Sequence, residues 1–89
     1  MYRSERSEKF KKILKKLFKK DRNSYIATLS KIEEVIKTKD LNHYKNLSYD
    51  MKEFKRVHID SHFVLIFKVD KKNSVIKFED LQHHDKIYK

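Results

Sequence analysis

The spacing of apolar positions changes character midway along this chain. Phe10, Ile13, Leu14, Leu17 and Phe18 recur at i, i+3, i+4, i+7 and i+8, with Lys11, Lys12, Lys15, Lys16, Lys19 and Lys20 between them. This is the period of a helix with one apolar stripe. The helix is expected from about Ser4. Ser4 or Ser7 would cap it, and Glu5 and Glu8 suit its positive end. Residues 21–24 break the period and offer capping side chains. A second helix is predicted to about Thr38, with Tyr25 or Ile26, Leu29, Ile32 and Ile36 inward and Val35 flanking them. So short a link implies an antiparallel hairpin. Neither stripe is wide enough for a core of helices alone, so both need another surface.

The second half supplies that surface. Met1–Arg3 is a candidate short strand that joins the sheet later, and residues 38–50 read as a loop carrying His43, Tyr44, Lys45 and Tyr49. Strands are expected over about 54–60, 63–70 and 74–80, with turn residues at 60–61 and 70–74. Close succession favours antiparallel pairing. Phe54, Arg56, His58 and Asp60 share one face of their strand, and Lys55, Val57 and Ile59 the other. Phe63–Phe67 is apolar on both faces, which marks the central strand. The tail from Leu81 is expected to leave the last strand. The predicted architecture is α+β, a single domain over residues 1–89: a helical hairpin on one face of a small antiparallel sheet, with the other face open and basic.

Composition narrows the partners. Lys and Arg number 23 against 13 acids in 89 residues, a net charge of +10 that favours polyanions. A plainly basic surface is the bland alternative. Heavy Lys and Glu usage without Gly, Pro or Cys also fits a heat-adapted protein. The absence of cysteine excludes disulfides and thiolate metal sites and agrees with a reducing cytoplasm. The opening residues alternate charged and apolar types, unlike a signal peptide. The apolar run of five residues falls far short of a membrane span.

Histidine carries the chemistry. His58 and His62 precede the central strand's apolar run and His83 and His84 follow it. Imidazole exchanges protons near neutral pH, which suits general acid–base catalysis. RNA cleavage needs a base for the 2′-hydroxyl, an acid for the departing 5′-oxygen and a cation at the phosphate. One exposed histidine is ordinarily just surface; a set bracketing one strand points further. His58 and His62 stand four apart, a metal-ligand spacing on a helix, but here they fall on strand and turn, so no metal site is expected. Lys45, Lys52, Lys55, Arg56, Lys68 and Lys86 could line a phosphate-binding surface, with Tyr44, Tyr49, Phe63 and Tyr88 to stack bases. Phe63 could equally be core, and the lysines of the first helix a solvated face. No Gly-rich loop, nucleophile elbow or acidic pair is present.

These segments resemble the RelE/ParE toxin superfamily, and within it the YafQ-like mRNA interferases. The likeness rests on Arg56-Val57-His58-Ile59, the strand Phe63-Val64-Leu65-Ile66-Phe67 and the ending His83-His84-Asp85-Lys86-Ile87-Tyr88. It spans essentially the whole chain, with the specific part at the C-terminus and a generic helical half. It implies a RelE-like fold and the toxin of a type II toxin–antitoxin pair, an endoribonuclease that cuts mRNA in the ribosomal A site. By the resemblance, His58 is an acid–base or phosphate-contacting group and His84 the foremost catalytic candidate. Tyr88 would position the base or assist the chemistry. His62 falls where relatives carry an acid or small polar residue, and Phe63 matches an aromatic beside the site. Lys45 lies near a position that is histidine in some relatives, a role His43 could take. Where relatives carry glycines before the second strand, this chain has Tyr49 and Glu53.

The expected activity is thus ribosome-dependent, metal-independent endoribonuclease action without a cofactor. The expected partners are the ribosome, mRNA and a cognate antitoxin, with no membrane or small molecule, in the cytoplasm. Two other classes stay open: a ParE-like non-catalytic inhibitor of DNA gyrase, and an inactive RNA-binding relative. The histidine-rich ending weighs against a pure binder.

Overall fold

A computed structural model describes residues 2–46 and 53–84. In order they form β1 (Arg3–Arg6), α1 (Glu8–Lys20), α2 (Arg22–Lys37), a 3-10 turn (Leu41–His43), β2 (Phe54–His58), β3 (Phe63–Asp70) and β4 (Val75–His83). The sheet has four strands in the order β1-β4-β3-β2. β2, β3 and β4 pair antiparallel as expected, while β1 runs parallel to β4, so the sheet is mixed. A core of Phe10, Leu14, Ile32, Val35, Leu65, Phe67, Ile76, Phe78 and Leu81 joins the helices to one sheet face.

The first helix starts later than its pattern suggested. Residues 3–6 extend instead, because β4 offers them an open edge: Arg3 N–H donates to Ser74 O and Ser7 N–H to Phe78 O. All four residues of β1 are exposed. Their charges discourage a further strand from pairing there. Ser7 then caps α1, its hydroxyl accepting from Phe10 N–H at 3.0 Å and donating to Glu79 O at 2.9 Å. One side chain thus ends β1, starts α1 and ties both to β4. Ser7→Ala is expected to cost about 1–2 kcal/mol in denaturant unfolding; a loss below about 0.3 kcal/mol would show that neither bond matters.

The inward stripes also differ in part. Phe18 is 42% exposed and Ile26 57%. In α2 the buried line is Ser24, Thr28, Ile32 and Val35. Thr28 can be buried because its hydroxyl donates to Ser24 O at 2.8 Å, leaving no polar atom unmatched. Phe18 makes a surface cluster instead, edge-on to Tyr25 and covered by the Arg22 guanidinium 3.9 Å from its ring centre.

Asp21 caps α2 by accepting from the Ser24 hydroxyl and backbone N–H. The Ser24 hydroxyl, then its N–H, hold the carboxyl below its ordinary pKa. A group with a lowered folded pKa stabilises above its unfolded value and loses that contribution as pH falls through the folded one. The stability gap between wild type and Asp21→Ala is therefore expected to narrow as pH falls from about 5 to below the ordinary carboxylate range. A gap that stays constant in urea titrations over that range would refute it.

The strand ends shift more than the strands. β2 stops at His58 rather than residue 60, and β4 continues past residue 80 to His83, pairing His83 with Phe63 and Leu81 with Leu65. The tail's first residues are therefore sheet. In the β3–β4 turn Ser74 takes φ 56°, the left-handed region, in a chain that has no glycine to place there. Asp70 stabilises that turn by accepting from Asn73 N–H and side-chain amide.

Candidate active-site cleft

The sheet face away from the helices has an apolar floor with polar side chains beside it. The strand register sets His58, Val64 and Gln82 in one row and Arg56, Ile66 and Asp80 in the next. Val64 and Ile66 are buried. Asp80 is buried too, accepting from Lys9 Nζ at 3.0 Å, Gln82 Nε2 at 2.6 Å and Leu81 N–H.

A one-residue bulge decides which side chains meet here. Phe67 pairs with Phe78 but Ile66 pairs with Asp80, so Glu79 is the extra residue. Without it, residues 80, 82 and 84 would share the core face with Phe78, because side chains alternate along a strand. The bulge reverses the alternation. Leu81 returns to the core, and His84 reaches the face that carries His58. The two imidazole centres stand 5.1 Å apart, inclined at 40°. Ser7's hydroxyl holds the bulge through Glu79 O.

A loop forms the opposite wall. Tyr44 packs edge-on against Phe67 at 5.6 Å, and its hydroxyl pairs with that of Thr38 at 3.1 Å. Arg56 N–H donates to Lys45 O, and the Lys55 amine donates to Tyr44 O and Asn46 Oδ1. Tyr44 is thereby a buried anchor that turns its neighbours His43 and Lys45 outward. The result is a cleft of about 370 Å³ lined by His43, Tyr44, Lys45, Arg56, His58 and His84. Imidazoles sit beside cations there, a set able to move protons next to a phosphate. Among the described residues no three His, Asp or Glu side chains converge as metal ligands.

At full length the chain is similar to a protein of Methanocaldococcus jannaschii named "Putative toxin RelE4", with 48% identity over 89 residues, 100% of this chain and 93% of the relative. The chain belongs to the RelE-like toxin superfamily. No family model matches it. Solved structures share this RelE-like fold at low identity. The YoeB/ParE toxin from Agrobacterium tumefaciens superposes with a TM-score of 0.77 at 13% identity, covering 94% of this chain and 99% of that one. The E. coli DinJ-YafQ toxin-antitoxin complex gives 0.63 at 23%, covering 99% and 98%. YafQ-like structures are thus among the neighbours of this fold.

Within the RelE-like frame the expected site residues separate into groups. His58, His84, Arg56 and Lys45 come together in the cleft. His62 does not line it: it sits in the β2–β3 turn, its Nδ1 3.2 Å from Ser61 Oγ and 3.7 Å from Asp60 Oδ1. Phe63 faces the core side, 4.7 Å from the His83 ring. Lys55 spends its amine on the loop, and Lys68 lies over the Phe54 ring. Lys52, Lys86, Tyr88 and Tyr49 fall outside the described residues. The bulge was the feature the strand reading missed, although its signal is visible: Ile76 and Phe78 alternate, then Leu81 follows after three residues.

Proposed function

We propose that this chain is the toxin of a type II toxin–antitoxin pair and a ribosome-dependent endoribonuclease that cuts mRNA in the A site, in the cytoplasm. The observation that carries this reading is the His58–His84 pair beside Arg56 and Lys45. Rings this close can serve one phosphodiester from two sides. One imidazole takes the 2′-hydroxyl proton as the 2′-oxygen bonds to phosphorus. The phosphorus–O5′ bond breaks, and the other, protonated, imidazole gives its proton to O5′. The products are a 2′,3′-cyclic phosphate and a free 5′-hydroxyl, and no metal or cofactor enters the steps. Arg56 and Lys45 offset charge building on the non-bridging oxygens.

Dependence on the ribosome fits a chain of net charge +10 that suits ribosomal RNA. Lys11, Lys15 and Lys19 line one side of α1 and Lys12 and Lys16 another, giving a long basic face for that contact. An antitoxin of acidic character would lay a helix or strand over the sheet face that carries Arg56 and His58. The DinJ-YafQ neighbour is a toxin-antitoxin complex, which supports such a partner.

The test maps RNA 5′ ends by primer extension in a translating extract given the folded protein. Cuts in phase with codons that disappear when translation is blocked are the expected result. Their complete absence would overturn the nuclease reading and favour a non-catalytic role such as gyrase inhibition.

A further inference from the structure

One backbone contact of His84 lies outside the cleft, in the β2–β3 turn. Ile59 N–H donates to Phe63 O at 3.0 Å and closes a turn around the Asp60 carboxylate. Asp60 Oδ1 accepts from His62 N–H at 2.7 Å and from Phe63 N–H at 3.2 Å. The carbonyl of His62 in turn accepts from His84 N–H at 2.7 Å.

The Phe63 N–H and the His62 carbonyl belong to the same peptide unit. That unit is planar and rigid, so fixing one end sets the direction of the other. Asp60 grips the N–H end, and the His84 backbone hangs from the carbonyl end. A carboxylate on the N–H also polarises the peptide and strengthens what its carbonyl accepts. His84 follows the last residue of β4, and its bond to His62 O is, among the described residues, the final rung of the β3–β4 pairing that sets Phe63 opposite His83. The bond to His62 is one tie that fixes the His84 backbone, and so bears on where its ring stands against His58.

The geometry points to Asp60 as a positioning residue: through the His62–Phe63 peptide it holds the His84 backbone, and so the imidazole, in register with His58. This rests on the proposed nuclease reading for its catalytic consequence, but not for the tie itself. Asp60 touches no reacting atom. Its own ring neighbour, His62 at 3.7 Å, is not needed for the linkage, which runs through the backbone.

The test compares wild type, Asp60→Ala and Asp60→Asn by amide hydrogen exchange in the free protein and by single-turnover cleavage on programmed ribosomes. Asparagine keeps an oxygen acceptor for both N–H groups, so it should rescue. Asp60→Ala is expected to speed exchange at the His84 amide by about tenfold or more while the Leu65 amide, deep in β3, stays unchanged. The saturating cleavage rate should fall about tenfold with half-saturation within about twofold, since misplacement of a catalytic group costs rate rather than binding.

Unchanged His84 exchange would overturn the proposal. So would equal acceleration at Leu65, which would mean general destabilisation, or a failure of Asp60→Asn to rescue. If exchange rises but the cleavage rate holds, Asp60 is not a positioning residue, while the nuclease reading survives. If wild type does not cleave at all, the nuclease reading falls and the exchange data alone decide whether Asp60 holds His84.

Discussion

His84→Ala is expected to lower the saturating cleavage rate on programmed ribosomes by about 10²–10⁴-fold, the span usual for losing a general acid or base. Ribosome binding should hold within about threefold, because the imidazole acts on a proton in flight and contributes little to ground-state contact. His58→Ala should fall in the same range. The double variant should be little worse than either single one, since an acid and a base acting on one displacement lose their value together. His84 is half-buried at the end of β4 and His58 is exposed, so neither truncation empties the core. Matching unfolding curves should confirm that. If both single variants cleave at the wild-type rate, the proton transfers belong to other groups, and His43 in the same cleft is the next to replace.

The fold was legible where burial follows period. β3 matches its expected bounds at Phe63–Asp70, because an apolar run between turn residues has few other uses. The hairpin was legible for the same reason. The errors gather where hydrogen bonding outweighs pattern. A short opening strand was expected over Met1–Arg3, but residues 3–6 give no apolar signal to set its bounds, which the vacant edge of β4 supplies. Thr28 is buried because a backbone carbonyl satisfies it, and no hydropathy pattern marks that. Of the alternatives Tyr25 and Ile26, Tyr25 packs against the core while Ile26 is exposed, a choice the apolar pattern left open.

The site was legible as a list of residue types, less so as an arrangement. His58, His84, Arg56 and Lys45 were named from the chain, and they meet. Their meeting depends on two things a strand reading lacks. Glu79 adds one residue and turns His84 toward His58, and the aromatic anchor Tyr44 carries Lys45 over β2. His62 was singled out as one of the histidines around the same strand, and Phe63 as a stacking aromatic that could equally be core. The turn sends one to Asp60 and Ser61 and the other to the core side. Proximity along the chain was a poor guide for His62, because the turn holds its ring beside Asp60 and Ser61.

Phe78→Ala is expected to remove about 3–5 kcal/mol of stability, the usual range for truncating a fully buried phenylalanine. That is a large share of the about 4–13 kcal/mol expected for a chain of this size. The position warrants the upper part of the range. Phe78 stacks on Phe10 at 6.2 Å and lies 5.9 Å from Phe67, which meets Tyr44 in turn. A line of rings thus joins α1, β4, β3 and the loop that carries Lys45. The backbone at Phe78 also pairs with β1 and accepts from Ser7 N–H, so the surroundings are poorly placed to collapse into the vacated space. Guanidinium unfolding should show a lower midpoint with an unchanged slope. Phe78→Leu, which keeps much of the volume, should lose less. A loss below about 1.5 kcal/mol for the alanine variant would mean that the helices repack freely over the sheet. The cleft would then not owe its shape to this column of rings, and the placement of Lys45 would rest on the loop's hydrogen bonds with Arg56, Lys55 and Thr38.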